Sequence, residues 1–310
     1  MHVFVTGATG LVGSRLVRRL AGRGDAVIAL SRRPLPPGYF GAPVETVAGD
    51  PTARGAWVGR LRDCDAVVHL AGENIFARRW TPAYMAELRD SRVNSTRLLA
   101  VELGTHPARS DGTPKTLLSA SAVGYYGPRG AEELTEDAPP GTDFMARLCV
   151  EWEAAADTAR AAGVRVVHPR LGVVLDPAGG ALPAAARPFR LFAGGRVGSG
   201  RQYVSWVHRD DLTELLLFAL DTAALTGPVN ATAPRPATNA EFGRALAAAL
   251  HRPYWLPAPA VAVRATLGAA AGVVTTGQRV VPAKAVAAGF RFRFPAIDRA
   301  LADLLARPVT

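Results

Sequence analysis

The chain has 310 residues, of which 49% are apolar, 20% charged and only 7% aromatic. A chain of this length and composition can bury a sizeable core, which excludes disordered and fibrous proteins. The formal net charge is +10, and Lys115 and Lys284 are the two lysines among 36 basic residues. The arginines are spread through every segment without forming a basic tract, so we expect no nucleic-acid partner.

The cysteines and the apolar segments bear on the cellular setting. Cys64 and Cys149 lack the spacing of a metal site or a redox pair, so we expect neither. The chain enters a predicted strand at once, and we expect no secretory signal. No uncharged apolar run reaches membrane-spanning length, since the nearest, 257–274, contains Arg264 with several prolines and glycines. We therefore expect a cytoplasmic protein without a membrane partner.

Brief apolar runs, most of them separated by stretches long enough for helices, are the main feature of the first half of the chain. Such runs are typical of strands that are buried on both faces of a parallel sheet. We therefore predict an α/β fold built on a doubly wound parallel sheet. The predicted strands are residues 2–6, 26–30, 44–48, 66–70, 116–119 and 164–168.

The pattern changes after Leu175, where glycine-rich stretches bracket a helix-like segment. Residues 211–220 follow as a helix capped by Asp210 and Asp211, and the alternating run 290–294 predicts a strand. These changes indicate a second, smaller lobe. We assign 1–175 to the sheet domain, with strands from about 205–235 returning to it, and 176–204 together with 236–310 to the lobe.

Three glycines, Gly7, Gly10 and Gly13, follow the first strand and open the first predicted helix. A side chain at the first would block the turn, one at the second would hold a pyrophosphate away, and one at the third would separate helix from sheet. Free amides at the start of the helix then meet the negative charge of a dinucleotide. The predicted pyrophosphate contacts are Gly7, Thr9, Gly10, Leu11 and Val12.

The end of the second strand bears on the choice of dinucleotide. An NAD site usually has Asp or Glu here for the ribose 2′-hydroxyl, whereas this chain has Ser31, Arg32 and Arg33. A hydroxyl and a guanidinium bind a 2′-phosphate that a carboxylate would repel. We therefore predict NADP(H), bound through Ser31 and Arg32, although both arginines are also compatible with an ordinary surface.

Two further turns contribute candidate contacts with the nucleotide. Asp50 follows the third strand, where its carboxylate would accept a hydrogen bond from the adenine amino group or, equally well, cap a helix. Leu70, Ala71 and Gly72 follow the fourth strand, and the small residues of this turn let the backbone approach a ribose closely. His69 is interpreted as a core strand residue.

These segments, together with the runs 119–127 and 205–211, resemble the atypical, epimerase-like branch of the extended short-chain dehydrogenase/reductase superfamily, which carries a small C-terminal domain of unknown function. The resemblance implies a Rossmann domain that holds NADP(H), with a lobe closing over a cleft for a small-molecule substrate. It also implies that Glu87, Arg92 and Val174 contact the cofactor. Without it, Glu87 and Arg92 are interpreted as a solvated charge pair on one helix.

The catalytic residues depart from the family pattern. An ordinary member has a serine after the fifth strand, then a tyrosine and a lysine four residues apart on the next helix. Ser121 matches the serine, but the segment 144–153 contains neither of the other two. Tyr125 is our candidate proton donor, with packing of the cleft wall as the alternative role for it and for Tyr126.

Two other side chains are candidate substitutes for the missing pair. His208 titrates near neutral pH in its ordinary state, although a structural role is the simpler interpretation. Cys149 lies near the lysine position, where a helix interior offers no evident activation of a thiol.

Two functions follow from this combination of features. The first is an NADP-dependent oxidoreductase or epimerase-like enzyme that uses a non-standard acid. The second is a noncatalytic NADPH-binding sensor or regulatory protein, in which the cofactor acts through binding alone. The missing tyrosine and lysine favour the second, whereas Ser121 and Tyr125 favour the first.

Overall fold

A mainly parallel sheet lies at the centre of the protein, for which a computed structural model describes residues 1–306. The strands are β1 (His2–Thr6), β2 (Ala26–Ser31), β3 (Glu45–Ala48), β4 (Ala66–His69), β5 (Thr116–Ser119), β6 (Ser121–Ala122), β7 (Glu133–Leu134), β8 (Arg165–Leu171), β9 (Val173–Asp176), β10 (Gly179–Gly180), β11 (Tyr203–Val204), β12 (Trp206–His208), β13 (Gly227–Ala231), β14 (Ala237–Thr238) and β15 (Arg279–Val280). The helices are α1 (Leu11–Gly22), α2 (Pro82–Thr105), α3 (Phe144–Ala161), α4 (Ala181–Arg190), α5 (Arg209–Asp221), α6 (Asn239–Leu250), α7 (Ala260–Leu267), α8 (Gly272–Thr275), α9 (Ala283–Ala287) and α10 (Ile297–Ala306).

The strand order of the main sheet is β3-β2-β1-β4-β5-β8-β13, with β6 also paired to β8, and every pair is parallel. The order reverses between β1 and β4, which is the topological switch point of a doubly wound sheet. The carboxyl ends of these strands meet at one edge, where such folds bind their ligands. The predicted Rossmann-type α/β fold is confirmed.

The sheet is held by apolar side chains on both of its faces. Val3 and Val5 of β1 are fully buried in a cluster with α1 and α5, whereas Phe4 points to the opposite cluster with Leu99 and Leu117. This alternation explains why the whole strand is an apolar run, since each face has its own helical layer.

A separate hydrophobic cluster lies outside the main sheet. Leu182 of α4, Trp206 of β12, Leu246 of α6 and Leu301 of α10 are fully buried in one cluster. A three-stranded sheet, in the order β10-β9-β12, lies beneath this cluster. None of the helices described within 1–306 is long and apolar enough to cross a membrane.

The strand predicted at 290–294 is wrong, because this segment forms no ladder with another strand. The backbone N–H groups of Arg293 and Phe294 donate instead to the Asp211 carboxylate, at 2.9 Å each. Phe290 packs on Phe218 of α5 and the Phe294 ring stacks on His208. The apolar residues of 290–294 therefore alternate because Phe290 packs on α5. The backbone N–H groups at the end of this segment bind the Asp211 carboxylate where a strand would bind its neighbour. The cap predicted for α5 is also different: His208, not an aspartate, occupies that position.

Candidate functional site

The glycine turn between β1 and α1 is closed by the backbone of the next strand's loop. Gly7 has φ +67°, and a Cβ placed there would lie 2.6 Å from the carbonyl carbon of Leu70. A Cβ on Gly13 would lie 2.1 Å from the Gly7 oxygen. These two glycines are therefore required by the turn itself, because neither position has space for a methyl group.

The start of α1 leaves an opening for an anion. Gly10 occupies the N-cap without any side-chain cap, and the first intrahelical bond runs from Ser14 N to Gly10 O at 2.9 Å. The N–H groups of the first helical turn thus have no acceptor within the helix. The first turn also contains no acidic residue. The geometry fits a pyrophosphate, whose charge would interact favourably with these amides.

Leu11 and Val174 lie on either side of Gly180, which brings two predicted cofactor contacts together. A Cβ on Gly180 would lie 3.1 Å from Leu11 Cδ2 and 3.6 Å from the Val174 oxygen. Val174 is half-buried in β9. The segment at Gly180 after β9 therefore lies against Leu11 at the start of α1, 169 positions away in the chain.

Ser31 ends β2 in register with Ala48 of β3, at the carboxyl edge of the sheet. The Ser31 hydroxyl accepts a long hydrogen bond from Arg33 N, at 3.3 Å. The Arg32 side chain is exposed and forms no ion pair with any of residues 1–306. An exposed guanidinium without a carboxylate partner, next to a hydroxyl, is a suitable group for a phosphate.

Asp50 lies beside this pair on the loop after β3. Its Oδ1 accepts hydrogen bonds from Thr52 N at 2.8 Å and Thr52 Oγ1 at 2.6 Å. These bonds lower the pKa of Asp50, and the Arg32 charge lowers it further. One Asp50 oxygen therefore stabilises the turn. A contact between Asp50 and adenine stays a prediction.

Arg92 of α2 fixes the loop that follows β4. It donates to the carbonyls of Glu73, at 2.8 Å, and Leu88, at 2.9 Å. The side chain packs against Gly72, where a Cβ would lie 3.2 Å from the guanidinium carbon. Burial lowers the pKa of Arg92. Its observed contacts hold the backbone of the predicted ribose-binding loop in place.

Glu87 is one turn away on α2 but is exposed, and its carboxylate pairs with Arg78. The interpretation of Glu87 and Arg92 as a solvated pair is therefore wrong, because Glu87 pairs with Arg78 and the Arg92 guanidinium donates to backbone carbonyls instead. Any contact of Glu87 with a cofactor would compete with Arg78, and such a contact stays a prediction.

Ser121 lies at the start of β6, where its hydroxyl is buried and donates to Glu153 Oε1 at 2.6 Å. Glu153 of α3 is in turn bound by Arg170 of β8 through two hydrogen bonds of 2.8 Å. This bidentate pair raises the pKa of Arg170, with the Glu153 hydrogen bond and charge outweighing burial. Because its proton is committed to Glu153, the Ser121 hydroxyl is left to act as an acceptor.

The two tyrosines after Ser121 occupy different environments. The Tyr126 hydroxyl is buried, donates to Asn230 Oδ1 at 2.7 Å and accepts from Arg170 at 2.9 Å. Burial raises the pKa of Tyr126 to about 12. Tyr125 is half-buried with its ring centroid 3.4 Å from the Arg170 guanidinium carbon, and its hydroxyl has no hydrogen bond to the residues that the structure describes.

The helix position next to this cluster carries no activated group. Gly124 faces Met145 and Cys149, which are four residues apart on α3, as a Cβ built on Gly124 shows. Cys149 is fully buried, and burial raises the pKa of its thiol to about 12. Cys149 therefore stays a thiol at neutral pH and does not supply the charge of a lysine.

His208 has a structural role at the N-terminus of α5. Its Nδ1 accepts from Asp210 N at 3.0 Å, and burial lowers the pKa of the ring to about 4. The ligand atoms of His208, Asp210 and Asp303 lie within 4.8 Å of one another. The neutral ring carries its proton on Nε2, which lies 3.4 Å from Asp303, so this nitrogen is not available as a metal ligand.

The sequence analysis missed the roles of Glu153, Arg170 and Asn230. Arg170 and Glu153 were visible only as charges in a strand and a helix that carry other charged residues as well. Such charges are almost never fully buried unless they are paired, which is the one signal that the sequence offered.

Comparison with known proteins assigns the chain to a family. The model for the NAD dependent epimerase/dehydratase family matches residues 3–231, and a domain of unknown function, DUF1731, matches residues 258–304. The chain belongs to this epimerase family. The suspected resemblance is thereby confirmed, including the small C-terminal domain.

Relatives of similar length occur in several organisms. An epimerase family protein of Mycobacterium bovis is 42% identical over 309 residues, which cover 99% of this chain and 98% of that protein. Epimerase family protein SDR39U1 of Mus musculus is 40% identical over 314 residues, covering 99% and 100%.

Solved structures agree with the fold. Human epimerase family protein SDR39U1, crystallised with NADPH, is 36% identical, with a TM-score of 0.85 and coverage of 99% of this chain and 100% of that one. A nucleoside-diphosphate sugar epimerase from Corynebacterium glutamicum is 35% identical, with a TM-score of 0.79, covering 98% of this chain and 58% of that one.

Proposed function

We propose that this epimerase family member binds NADP(H), with the pyrophosphate at the start of α1 and the 2′-phosphate against Ser31 and Arg32. The support is the pair of glycines that cannot carry a Cβ, the uncapped helix start and an exposed arginine without a carboxylate partner. The human relative was crystallised with NADPH, which agrees with this choice of cofactor.

For the reaction, we propose an NADP-dependent oxidoreductase or epimerase-like enzyme that acts on a small molecule. NADPH supplies a hydride when bound, so the chain itself must supply a proton to the oxygen of a carbonyl substrate. The single observation that supports an enzyme is Tyr125: its hydroxyl is uncommitted, whereas that of Tyr126 is bound by Asn230 and Arg170.

Arg170 completes this arrangement as the cation beneath the Tyr125 ring. In an ordinary member a lysine provides the positive charge, and here the guanidinium is held by Glu153. Tyr125 would donate the proton, Arg170 would favour the resulting negative charge, and Ser121 would accept a hydrogen bond from a substrate hydroxyl.

One specific observation favours the second candidate, a noncatalytic NADPH-binding sensor. The Ser121 proton points into the protein, and Cys149 replaces a charged group with a buried neutral thiol. A protein that only senses cofactor needs neither group, and it would gain stability on binding in proportion to RT ln(1 + [L]/Kd).

Cofactor choice is tested by fluorescence titration of NADPH and NADH into wild type, Arg32→Ala and Arg33→Ala. We expect wild type to prefer NADPH and Arg32→Ala to lose at least about tenfold in NADPH affinity, because a charge-assisted bond is removed. Arg33→Ala is the neighbouring control. Equal affinities of wild type for the two nucleotides would contradict the 2′-phosphate site.

The proton donor is tested by a carbonyl screen that follows NADPH oxidation. Tyr125→Phe should reduce turnover by about 10²- to 10⁴-fold, the range for a general acid, with unchanged NADPH affinity. Tyr39→Phe, at an exposed position outside the site, is the matched control. Tight NADPH binding without turnover of any carbonyl in the screen would favour the sensor.

A further inference from the structure

The smaller lobe exposes four apolar side chains that lie side by side, which we call the apolar tip: Leu191, Phe192, Trp255 and Leu256. Their exposed fractions are 68%, 57%, 64% and 43%, far above what core residues retain. The Trp255 Nε1 donates to the Phe192 carbonyl at 2.8 Å, which joins the two segments. The N–H groups of Trp255 and Leu256 both donate to Gly194 O, at 2.9 and 3.1 Å. The tip is therefore held by defined hydrogen bonds and is not a frayed loop.

Phe192 occupies a backbone conformation that favours glycine. Its φ is +60°, just after α4 ends at Arg190, where helices commonly end in a glycine. A bulky residue in this region is strained, so the fold holds an exposed aromatic ring at a cost in stability. Packing within the protein does not explain the cost, since most of the residue's surface faces solvent.

Basic side chains surround the tip. Arg187 and Arg190 lie in the last turn of α4 and are exposed, and the Arg252 guanidinium lies 4.6 Å from the centroid of the Phe192 ring. Arg196 follows on the same segment and is also exposed. Aromatic and leucine side chains within a collar of arginines are typical of proteins that bind the interface of a bilayer.

The smaller lobe has a strongly positive net charge, since residues 176–204 and 236–310 contain thirteen arginines and lysines and four acidic residues. No Asp or Glu occurs from residue 177 to 209 or from 242 to 297, although these two stretches contain twelve arginines and lysines. Twelve exceeds the formal net charge of the entire chain, +10, so the remainder is close to neutral. This uneven distribution of charge arises because acidic residues are scarce in these stretches, and not because the basic residues form a tract. A lobe with a strongly positive net charge complements a negatively charged surface.

We propose that the apolar tip docks this protein on the interface of an anionic lipid membrane, with its four apolar side chains inserted and the arginines against lipid phosphates. A nucleic acid would match the charge, but its phosphate backbone offers no partner for the two leucines. The inference concerns peripheral binding, and it departs from the expectation of no membrane partner, which rested on the lack of a spanning segment.

The test is flotation of the full chain with vesicles made of equal parts phosphatidylcholine and phosphatidylglycerol, compared with pure phosphatidylcholine vesicles. We expect binding to the anionic vesicles that weakens as salt increases. Trp255 is the one strongly exposed tryptophan in the described chain, so its emission should shift to the blue on binding. Trp255→Phe should retain binding and lose that shift.

Phe192→Gly separates docking from folding. Glycine relieves the left-handed strain, so the thermal midpoint should be unchanged or higher, while vesicle affinity should fall by about tenfold. Arg190→Glu should weaken binding at low salt. Val101→Ser and Arg97→Glu on α2 are matched controls, since they remove an exposed apolar and an exposed basic side chain elsewhere.

Several results would overturn the proposal. One is equal binding of wild type and Phe192→Gly, and another is equal binding to the neutral and the anionic vesicles. Absence of vesicle binding combined with retention on RNA would indicate a nucleic-acid surface instead. Absence of vesicle binding with self-association that Phe192→Gly abolishes would assign the tip to a second copy of the chain.

Discussion

The substitution Gly13→Ala tests how closely the cofactor turn is packed. The new Cβ would lie 2.1 Å from the Gly7 oxygen, 2.9 Å from the Gly7 carbon and 3.0 Å from the Ala8 Cα. All three are backbone atoms, so no side-chain rotation relieves the clash. Ordinary contact begins at 3.4 Å, so α1 and the turn must separate by about 1.3 Å in a close-packed region.

The magnitude follows from this displacement. Overpacking a well-packed site costs about 1–3 kcal/mol, and we expect the upper part of that range because the obstacle is backbone. For a chain of this size the thermal midpoint should fall by several degrees, at about 2–4 °C per kcal/mol. The same shift moves the free N–H groups of α1 away from the pyrophosphate, so NADPH affinity should fall with stability.

Differential scanning calorimetry and NADPH titration are the two assays. Gly22→Ala is the matched control, since a Cβ at the end of the same helix meets nothing within 4 Å. That variant should keep full NADPH affinity and gain up to about 1 kcal/mol of stability from helix propensity. Wild-type stability and affinity in Gly13→Ala would refute the packing argument.

Two further predictions concern buried ionisable groups. Glu153→Gln should lower the free energy of unfolding, measured in denaturant melts, by about 3–5 kcal/mol, because it leaves Arg170 buried without its counter-charge. The control Glu151→Gln removes one partner of an exposed ion pair and should cost less than about 1 kcal/mol in the same melts. Burial, with a smaller effect of Arg92, lowers the pKa of His69 to about 3 in the folded state. Below pH 6.5 the unfolded chain therefore binds a proton at His69 that the folded chain does not bind. The free energy of unfolding therefore decreases as the pH is lowered, by about 2 kcal/mol at pH 5 for this group. His69→Asn should reduce the slope between pH 7 and 5 without abolishing it, because His208, whose pKa burial lowers to about 4, contributes in the same range. An unchanged slope would contradict this origin.

The sheet and the cofactor turn were predictable because their signals are local. Each central strand is covered on both faces, so residues 2–6 form a continuous apolar run that the sequence shows directly. The glycine turn is equally local: Gly7 and Gly13 are fixed by contacts within a few residues and with one neighbouring strand. Six strands have only two residues each, which is too short to give a periodic signal: β6, β7, β10, β11, β14 and β15.

The chemistry of the site was less predictable because its partners are distant in the chain. Arg170 contacts Glu153 and Tyr126, and Asn230 reaches Tyr126 from β13, more than 100 residues further on. No sequence spacing encodes these contacts. The strand prediction for residues 290–294 was wrong for the same reason, since the partner of this segment is a carboxylate on α5 and not a neighbouring strand.

Calorimetric titration of NADPH into the purified chain tests the central claim most directly, because it measures the nucleotide site without requiring a substrate. We predict saturable binding of one NADPH per chain, with weaker binding of NADH. The absence of binding heat and of any thermal stabilisation with either nucleotide would contradict the assignment of the turn between β1 and α1.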